Sequence, residues 1–528
     1  MRGPIPGLHL GVSGICERHS LETATALYKQ SLDPPPLLFK CLVLRRLRKL
    51  TRRLLARQEP SPSSQIHISY LKMGLLRISL ALLATLGHTA AEGISEHCDA
   101  ECRSAFHAAF AVESKQWVNN DMTADSFYSN PSNISEYAAG DIVRWEDLSE
   151  EDTSTIWSIP GGMSFSRFLY MTVDAEGTPI PASAFVLLPF ANPHGADEPL
   201  RTVVWTHGTA GGVRKCAPSN HRALYYEWEG PFALVQQGFA VIAPDYAGLG
   251  SDIPQGFMYE AGTLHAEDAV FSLLAARQVL GDLISHEWVV VGHSEGGLSA
   301  WRTNEREARE GKATSGFLGA VSLAPALRPL ELIPESFELA DGGPVRDVVS
   351  IYFLQSLTRI YPDLHAEDYF SDTVLARIKL ADKACLRAGG GLFGDLTMNE
   401  LYKNTSWLSH PDVLDWDKRY NNPGPHPLAG PMLVVQGVDD PLTYASFTED
   451  DFNKTCEEYP ESRAELALYE KLNHDVAAQA SQAEYIRWIN DRFENVPVEK
   501  GCKWRRVKPA TERFSKMQQY WEATSNWE

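Results

Sequence analysis

Positive charge is scarce in this 528-residue chain: 48 Lys and Arg stand against 68 Asp and Glu, a formal net charge of −20. That balance argues against nucleic acid as the main partner. The deficit is uneven. Residues 1–91 hold thirteen basic and four acidic side chains, which leaves 35 basic and 64 acidic in 92–528. Close Cys/His clusters are missing too, apart from His97, Cys98 and Cys102, so no zinc site is expected. No internal repeat is present, which sets solenoid arrays aside. The apolar run near the front, 78–86, is too short for a comfortable membrane span.

That front reads as targeting sequence. A basic start at Met73, the apolar run and the small residues Thr89-Ala90-Ala91 describe a signal peptide over 73–91. Residues 1–72 then form a basic N-terminal extension outside the mature protein. The other reading is a basic amphipathic helix around 44–55 that binds a membrane surface. Beyond the front stand six cysteines, Cys98, Cys102, Cys216, Cys385, Cys456 and Cys502. An even number in an exported chain suggests disulfides. Asn133, Asn404 and Asn453 each open a glycosylation sequon.

The remainder alternates short apolar runs with helix-length segments. Residues 165–173 and 182–189 read as a hairpin broken by a turn-rich stretch. Strands follow at 202–206, 239–243, 288–291 and 319–323, with helices at 263–280 and 297–310. Such alternation predicts a mostly parallel sheet with helices on both faces. From 324 to 429 the alternation stops. Segments such as 345–360 and 372–388, with a glycine-rich loop at 389–394, predict an inserted helical cap. Strands resume at 432–436 and 464–469. The domain plan is therefore a first core part over 92–323, the cap over 324–429 and a second core part over 430–528. Residues 92–160 are expected as helix and loop on the main body, and 503–528 as one surface helix.

The chemistry centres on Gly292-His293-Ser294-Glu295-Gly296, between an apolar strand and a helix. That is the layout of a nucleophile elbow, with Ser294 as nucleophile. A serine hydroxyl needs a base, and the base an orienting acid. Asp439 and Asp440 both follow the 432–436 strand, and His474 follows the 464–469 strand. The order serine, acid, histidine and the strand-end placement agree with an α/β-hydrolase. His410 and His426 lie in the cap and, with His265 and His286, are read as packing or surface residues. Two backbone donors must hold the oxyanion. Glu295 N–H supplies one. The other comes from the loop His207-Gly208-Thr209-Ala210-Gly211, with Thr209 chosen ahead of Gly208 and Ala210.

Taken together, five stretches resemble the secretory lipase family of α/β-hydrolases. They are Trp205 to Gly211 with Cys216-Ala-Pro-Ser, Ala243-Pro-Asp-Tyr-Ala-Gly-Leu-Gly, Gly292-His-Ser-Glu-Gly-Gly, Leu433-Val-Val-Gln-Gly-Val-Asp-Asp, and the His474 loop. The resemblance covers residues 150–490. It implies an α/β-hydrolase fold and a secreted enzyme cleaving carboxylic esters, triacylglycerols among them. The cap would be a lid over an acyl pocket, met at a lipid interface, and no cofactor would be needed. It selects Asp440, three residues after Gly437, as the acid. It also implies the pairs Cys216–Cys385 and Cys456–Cys502, leaving Cys98 with Cys102. The His-Gly-Thr-Ala-Gly loop departs from some family members, which leaves substrate preference open. A serine peptidase and a non-catalytic binding protein of the same fold are the alternatives.

Overall fold

The apolar runs become strands because both of their faces are buried. In β6 (Ile284–His293), Trp288 and Val290 enter the core on one side of the sheet, and Val289 and Val291 the core on the other. A strand covered on both faces is a near-continuous apolar run. The computed structural model describes residues 97–345 and 349–516. The proposed extension and signal peptide lie outside them.

One ten-stranded sheet organises the described chain, in the order β1-β2-β3-β5-β4-β6-β7-β8-β9-β10. The antiparallel side is built by β1 (Ile142–Asp147), β2 (Met163–Val173) and β3 (Pro179–Pro189), with β2 and β3 forming the expected hairpin. The parallel side holds β4 (Leu200–Thr206), β5 (Ala240–Pro244), β6, β7 (Phe317–Leu323), β8 (Met432–Gly437), β9 (Arg463–Tyr469) and β10 (Gly501–Val507). From β4 the chain crosses to β5 and then back to β6 on β4's other side. That reversal is a topological switch point, where open α/β sheets leave a crevice at the carboxyl ends of their strands.

Helices cover both faces. Ala269, Val270 and Leu273 of α2 (Gly262–Leu280) and Leu298 and Trp301 of α3 (Glu295–Glu307) fill one side. Tyr485 and Ile489 on the helix Gln482–Phe493 fill the other. Between β7 and β8 the chain is helical. It includes α4 (Pro329–Leu339), α5 (Val349–Ile360) and α6 (Asp372–Ala381), and its buried side chains form a third core around Phe353, Trp407 and Trp416.

Four expectations differ. The stretch 92–160 contributes strand β1, and its helix α1 (Ala100–Gln116) packs with the helical segment between β7 and β8, where Phe106 joins the third core. Glu113 on that helix accepts from Cys385 N–H (2.9 Å) and Ala388 N–H (3.0 Å), which fixes it there. The 372–388 segment breaks into α6 and the short helix Leu386–Gly390, so part of the glycine loop is helical. The tail supplies β10, parallel to β9, rather than a helix; residues 517–528 lie outside the described chain.

Three disulfides pair the six cysteines of the described residues: Cys98–Cys102, Cys216–Cys385 and Cys456–Cys502. Among the described residues no helix is long and apolar enough to cross a membrane.

The elbow glycines are set by contact. A Cβ on Gly296 would sit 2.0 Å from Thr206 O and 2.7 Å from His207 O; one on Gly292 would sit 2.0 Å from Thr206 Oγ1. The carbonyls around Gly296, and the Gly296 carbonyl 2.1 Å from a Cβ on Gly292, are backbone and cannot swing aside. Gly296→Ala should therefore destabilise by about 3 kcal/mol or more, read as a fall in the urea midpoint.

Candidate active site

Ser294 alone makes the turn from β6 to α3. It adopts φ 62° and ψ −121°, a conformation that strains a residue bearing a side chain by about 1–3 kcal/mol. Its N–H donates to Leu323 O (2.9 Å) and its carbonyl accepts from Leu298 N–H (3.0 Å), so strand β7 and helix α3 hold the strain in place. The hydroxyl faces a cavity of about 1350 Å³, whose walls also include Thr209 and His474.

His474 was expected in a loop; it is instead the first residue of the helix His474–Ala480, capped by Asn473, whose side chain accepts from Val476 N–H. Its Nδ1–H donates to Asp440 Oδ2 at 2.8 Å. Asp440 is buried and Asp439 is exposed, so the first of these, not its neighbour, meets the imidazole. Asp440 Oδ1 accepts from Leu442 N–H and Thr443 N–H, and Oδ2 also accepts from Gln436 Nε2 (2.7 Å) and Thr443 Oγ1 (2.8 Å). Gly437 allows the two turns to meet, since a Cβ there would lie 2.5 Å from Leu472 O.

Electrostatics follow from this cage. Burial opposes ionisation of Asp440, but His474 and the backbone N–H donors overcome it and hold the carboxyl well below the usual carboxylate range. Burial likewise opposes protonation of His474, and the Asp440 carboxylate more than offsets it, so the imidazole is a stronger base than usual. His293 packs against that ring, centroids 4.7 Å apart, and burial keeps it neutral with a pKa of about 3. His293, His474 and Asp475 bring ligand-type atoms within 4.8 Å of one another. Since His474 Nδ1 is committed to Asp440, this group reads as the surroundings of the base. Among the described residues no hydrogen bond joins Ser294 Oγ to His474, an open arrangement common before substrate binds.

The loop after β4 presents its amides. Its carbonyls are engaged: His207 O by Tyr246 Oη–H (2.8 Å), Thr209 O by Tyr225 Oη–H (3.2 Å) and Ala210 O by Leu386 N–H (2.9 Å). Among the described residues, the N–H groups of Gly208, Thr209, Ala210 and Glu295 meet no acceptor. Gly208 is required there, because a Cβ would lie 2.9 Å from His293 O. Tyr225 does not stand out in the sequence, and Tyr246 stood there only as part of the Ala243–Gly250 stretch, with no role given to it.

Glu295 is wholly buried, with Oε1 accepting from Glu260 N–H (3.0 Å). Burial pushes its carboxyl up from 4.5 to about 8. The unfolded chain releases this proton near 4.5 and the folded chain near 8, so stability falls as pH rises between those values. Glu295→Gln should flatten that fall, seen as a smaller loss of Tm between pH 5 and 8 than in the wild type.

The other candidate histidines lie elsewhere. His265 stacks on Tyr246, His286 is exposed, and His410 and His426 accept or donate locally in the segment before β8.

A serine at a strained strand-to-helix turn, with a histidine–carboxylate pair at neighbouring strand ends, is the layout of an α/β-hydrolase. A model of the alpha/beta hydrolase family matches residues 203–487, over half of the chain, and the protein belongs to that family. Lipase A of Arthroderma benhamiae is 23% identical over 416 residues, 72% of this chain and 81% of that protein. Among solved structures, lipase A of Candida antarctica superposes with a TM-score of 0.57 at 15% identity, over 72% of this chain and 87% of that one. The rice cell wall degrading esterase LipA of Xanthomonas oryzae gives 0.52 at 18% identity, over 67% and 98%.

Proposed function

We propose that the protein is a secreted serine hydrolase of carboxylic esters, of lipase or esterase type. The observation that carries this reading is the convergence of Ser294, Thr209 and His474 on one cavity, with Asp440 bonded to His474 behind it. The names of the relatives, lipase and esterase, point the same way. Ser294 Oγ attacks the ester carbonyl carbon as His474 Nε2 takes its proton. The carbonyl π electrons move to oxygen, where Thr209 N–H and Glu295 N–H receive the charge. His474 then protonates the departing alcohol. Water, deprotonated by His474, releases the acid from the acyl-enzyme.

Leu332, Ile333 and Leu339 of α4 line the same cavity. They give the acyl chain an apolar wall, with the cap segment 324–429 acting as the lid. Export accords with the three disulfides and with the exposure of Asn133, Asn404 and Asn453 as glycan sites. A mature N-terminus near Ala91 or Glu92 would bear out cleavage after the 73–91 signal peptide.

The test pairs p-nitrophenyl esters of graded acyl length with aminoacyl and prolyl amides, and adds a fluorophosphonate probe. Ester turnover and labelling at Ser294 are expected. Faster amide cleavage would make the protein a peptidase, and an unlabelled, inert protein would overturn the reading.

A further inference from the structure

Four residues in a row carry positive φ angles: Leu224 58°, Tyr225 46°, Tyr226 59° and Glu227 30°. None is a glycine, so each Cβ is crowded against its own backbone. Such strain collects at functional sites and persists only where the surroundings over-determine it. Here the surroundings are explicit. His221 Nδ1 accepts from Ala223 N–H (3.2 Å) and Tyr225 N–H (3.1 Å), while its carbonyl accepts from Leu224 N–H (3.0 Å). Trp117 meets His221 edge-on and stacks on Tyr225. The stretch delivers two adjacent tyrosines to the site. Tyr225 Oη–H donates to Thr209 O (3.2 Å). Tyr226 lies against Gly208, where a Cβ would come close to its Oη, and its ring packs edge-on to His293 with centroids 5.6 Å apart. One strained turn thus reaches the loop after β4 at two successive residues and the elbow at the residue before the nucleophile.

We propose that the 224–227 turn is a positioning element for the oxyanion amides, with Tyr225 as its contact and His221 as its anchor. The inference rests on the serine-hydrolase reading above. A peptide carbonyl and the N–H that follows it lie in one plane and point opposite ways. Tyr225 grips the oxygen of the Thr209–Ala210 peptide, and so fixes that plane and the backbone of Thr209 with it. A carbonyl free to turn would aim its negative end at the oxyanion. A held one keeps the neighbouring amides directed before the reaction begins, and donors fixed in advance are what stabilise the developing charge. Tyr225 and His221 act through the loop and bond to no reacting atom, so both are positioning residues. Their effect falls on the transition state, because the ester carbonyl carries little charge before attack.

Four variants test this on a short p-nitrophenyl ester. Tyr225→Phe should lower kcat about tenfold, with KM within about threefold of wild type. A boronic acid that forms a tetrahedral adduct on Ser294 mimics the intermediate, and its Ki should rise by the factor by which kcat/KM falls. His221→Ala, which takes the acceptor from the turn, should also lower kcat about tenfold. His221→Asn, whose Oδ1 can stand where Nδ1 accepts, should keep most of it. In His221→Ala/Tyr225→Phe kcat should fall no further than in Tyr225→Phe, since both act through one hydroxyl. A turn that only packs would lower Tm while leaving kcat and Ki unchanged, and that result would overturn the proposal. So would equal losses in His221→Asn and His221→Ala, or losses that multiply in the double variant. An inert wild type that the fluorophosphonate probe does not label would instead remove the hydrolase reading beneath it.

Discussion

Replacing Ser294 with alanine should cut ester turnover by about a millionfold and leave the protein folded. The nucleophile is the one part of a hydrolytic triad that the others cannot replace. The expected residual rate comes from water attacking a bound ester while the oxyanion amides remain in place. The fold should survive because Ser294 is held by its backbone, to Leu323 and Leu298, rather than by its side chain. Ser294→Gly sharpens the argument. At φ 62° glycine is relaxed where serine is strained, so this variant should be inactive yet more stable than wild type, with a higher Tm. An alanine variant that kept wild-type kcat would place the chemistry elsewhere.

Asp440→Asn should lower kcat by about 10,000-fold, while Asp439→Asn should change it less than about threefold. An asparagine at 440 cannot stabilise the imidazolium, and its amide would present a donor where Gln436 Nε2 and Thr443 Oγ1 already donate. His474 would lose the carboxylate that raises its basicity. Stability should change in a pH-dependent way. The Asp440 carboxyl is depressed in the folded state, so its contribution is full above the ordinary aspartate value of 3.8 and fades as pH falls through the folded value. The His474 contribution runs oppositely: it is full below 6.5 and is lost as pH rises through its raised folded value. The variant's Tm deficit should therefore be largest between about pH 4 and 6.5, where both groups carry their charges. Equal effects at 439 and 440 would dissolve the distinction between the two carboxylates.

The placement of Ser294, Asp440 and His474 at strand ends was legible because each follows a β-run, and strand ends converge in a parallel sheet. The glycines were readable for the same local reason: the elbow needs them within five residues. The supporting tyrosines were not. Tyr225, Tyr259 and Tyr246 reach the oxyanion loop from 16, 50 and 39 residues away, and no spacing encodes those bonds. Strand β10 was missed because its outward side chains, Lys503, Trp504 and Arg506 among them, resemble a charged tail. An edge strand needs only one buried neighbour, and its partner β9 supplies the pairing. The packing of helix Ala100–Gln116 against the segment between β7 and β8 was equally hidden, since Glu113 meets its partners at a separation of 272 residues and more.

The bridge between Cys216 and Cys385 ties the turn that follows the 207–211 loop to the helical segment between β7 and β8 across 169 residues of sequence. Leu386 N–H, one residue on, grips Ala210 O. The helical segment between β7 and β8 is thus anchored to the loop after β4 by a covalent bond and a hydrogen bond on adjacent residues. On the proposed reading, a displacement of α4 would leave that anchored end in place beside the amides offered to the oxyanion.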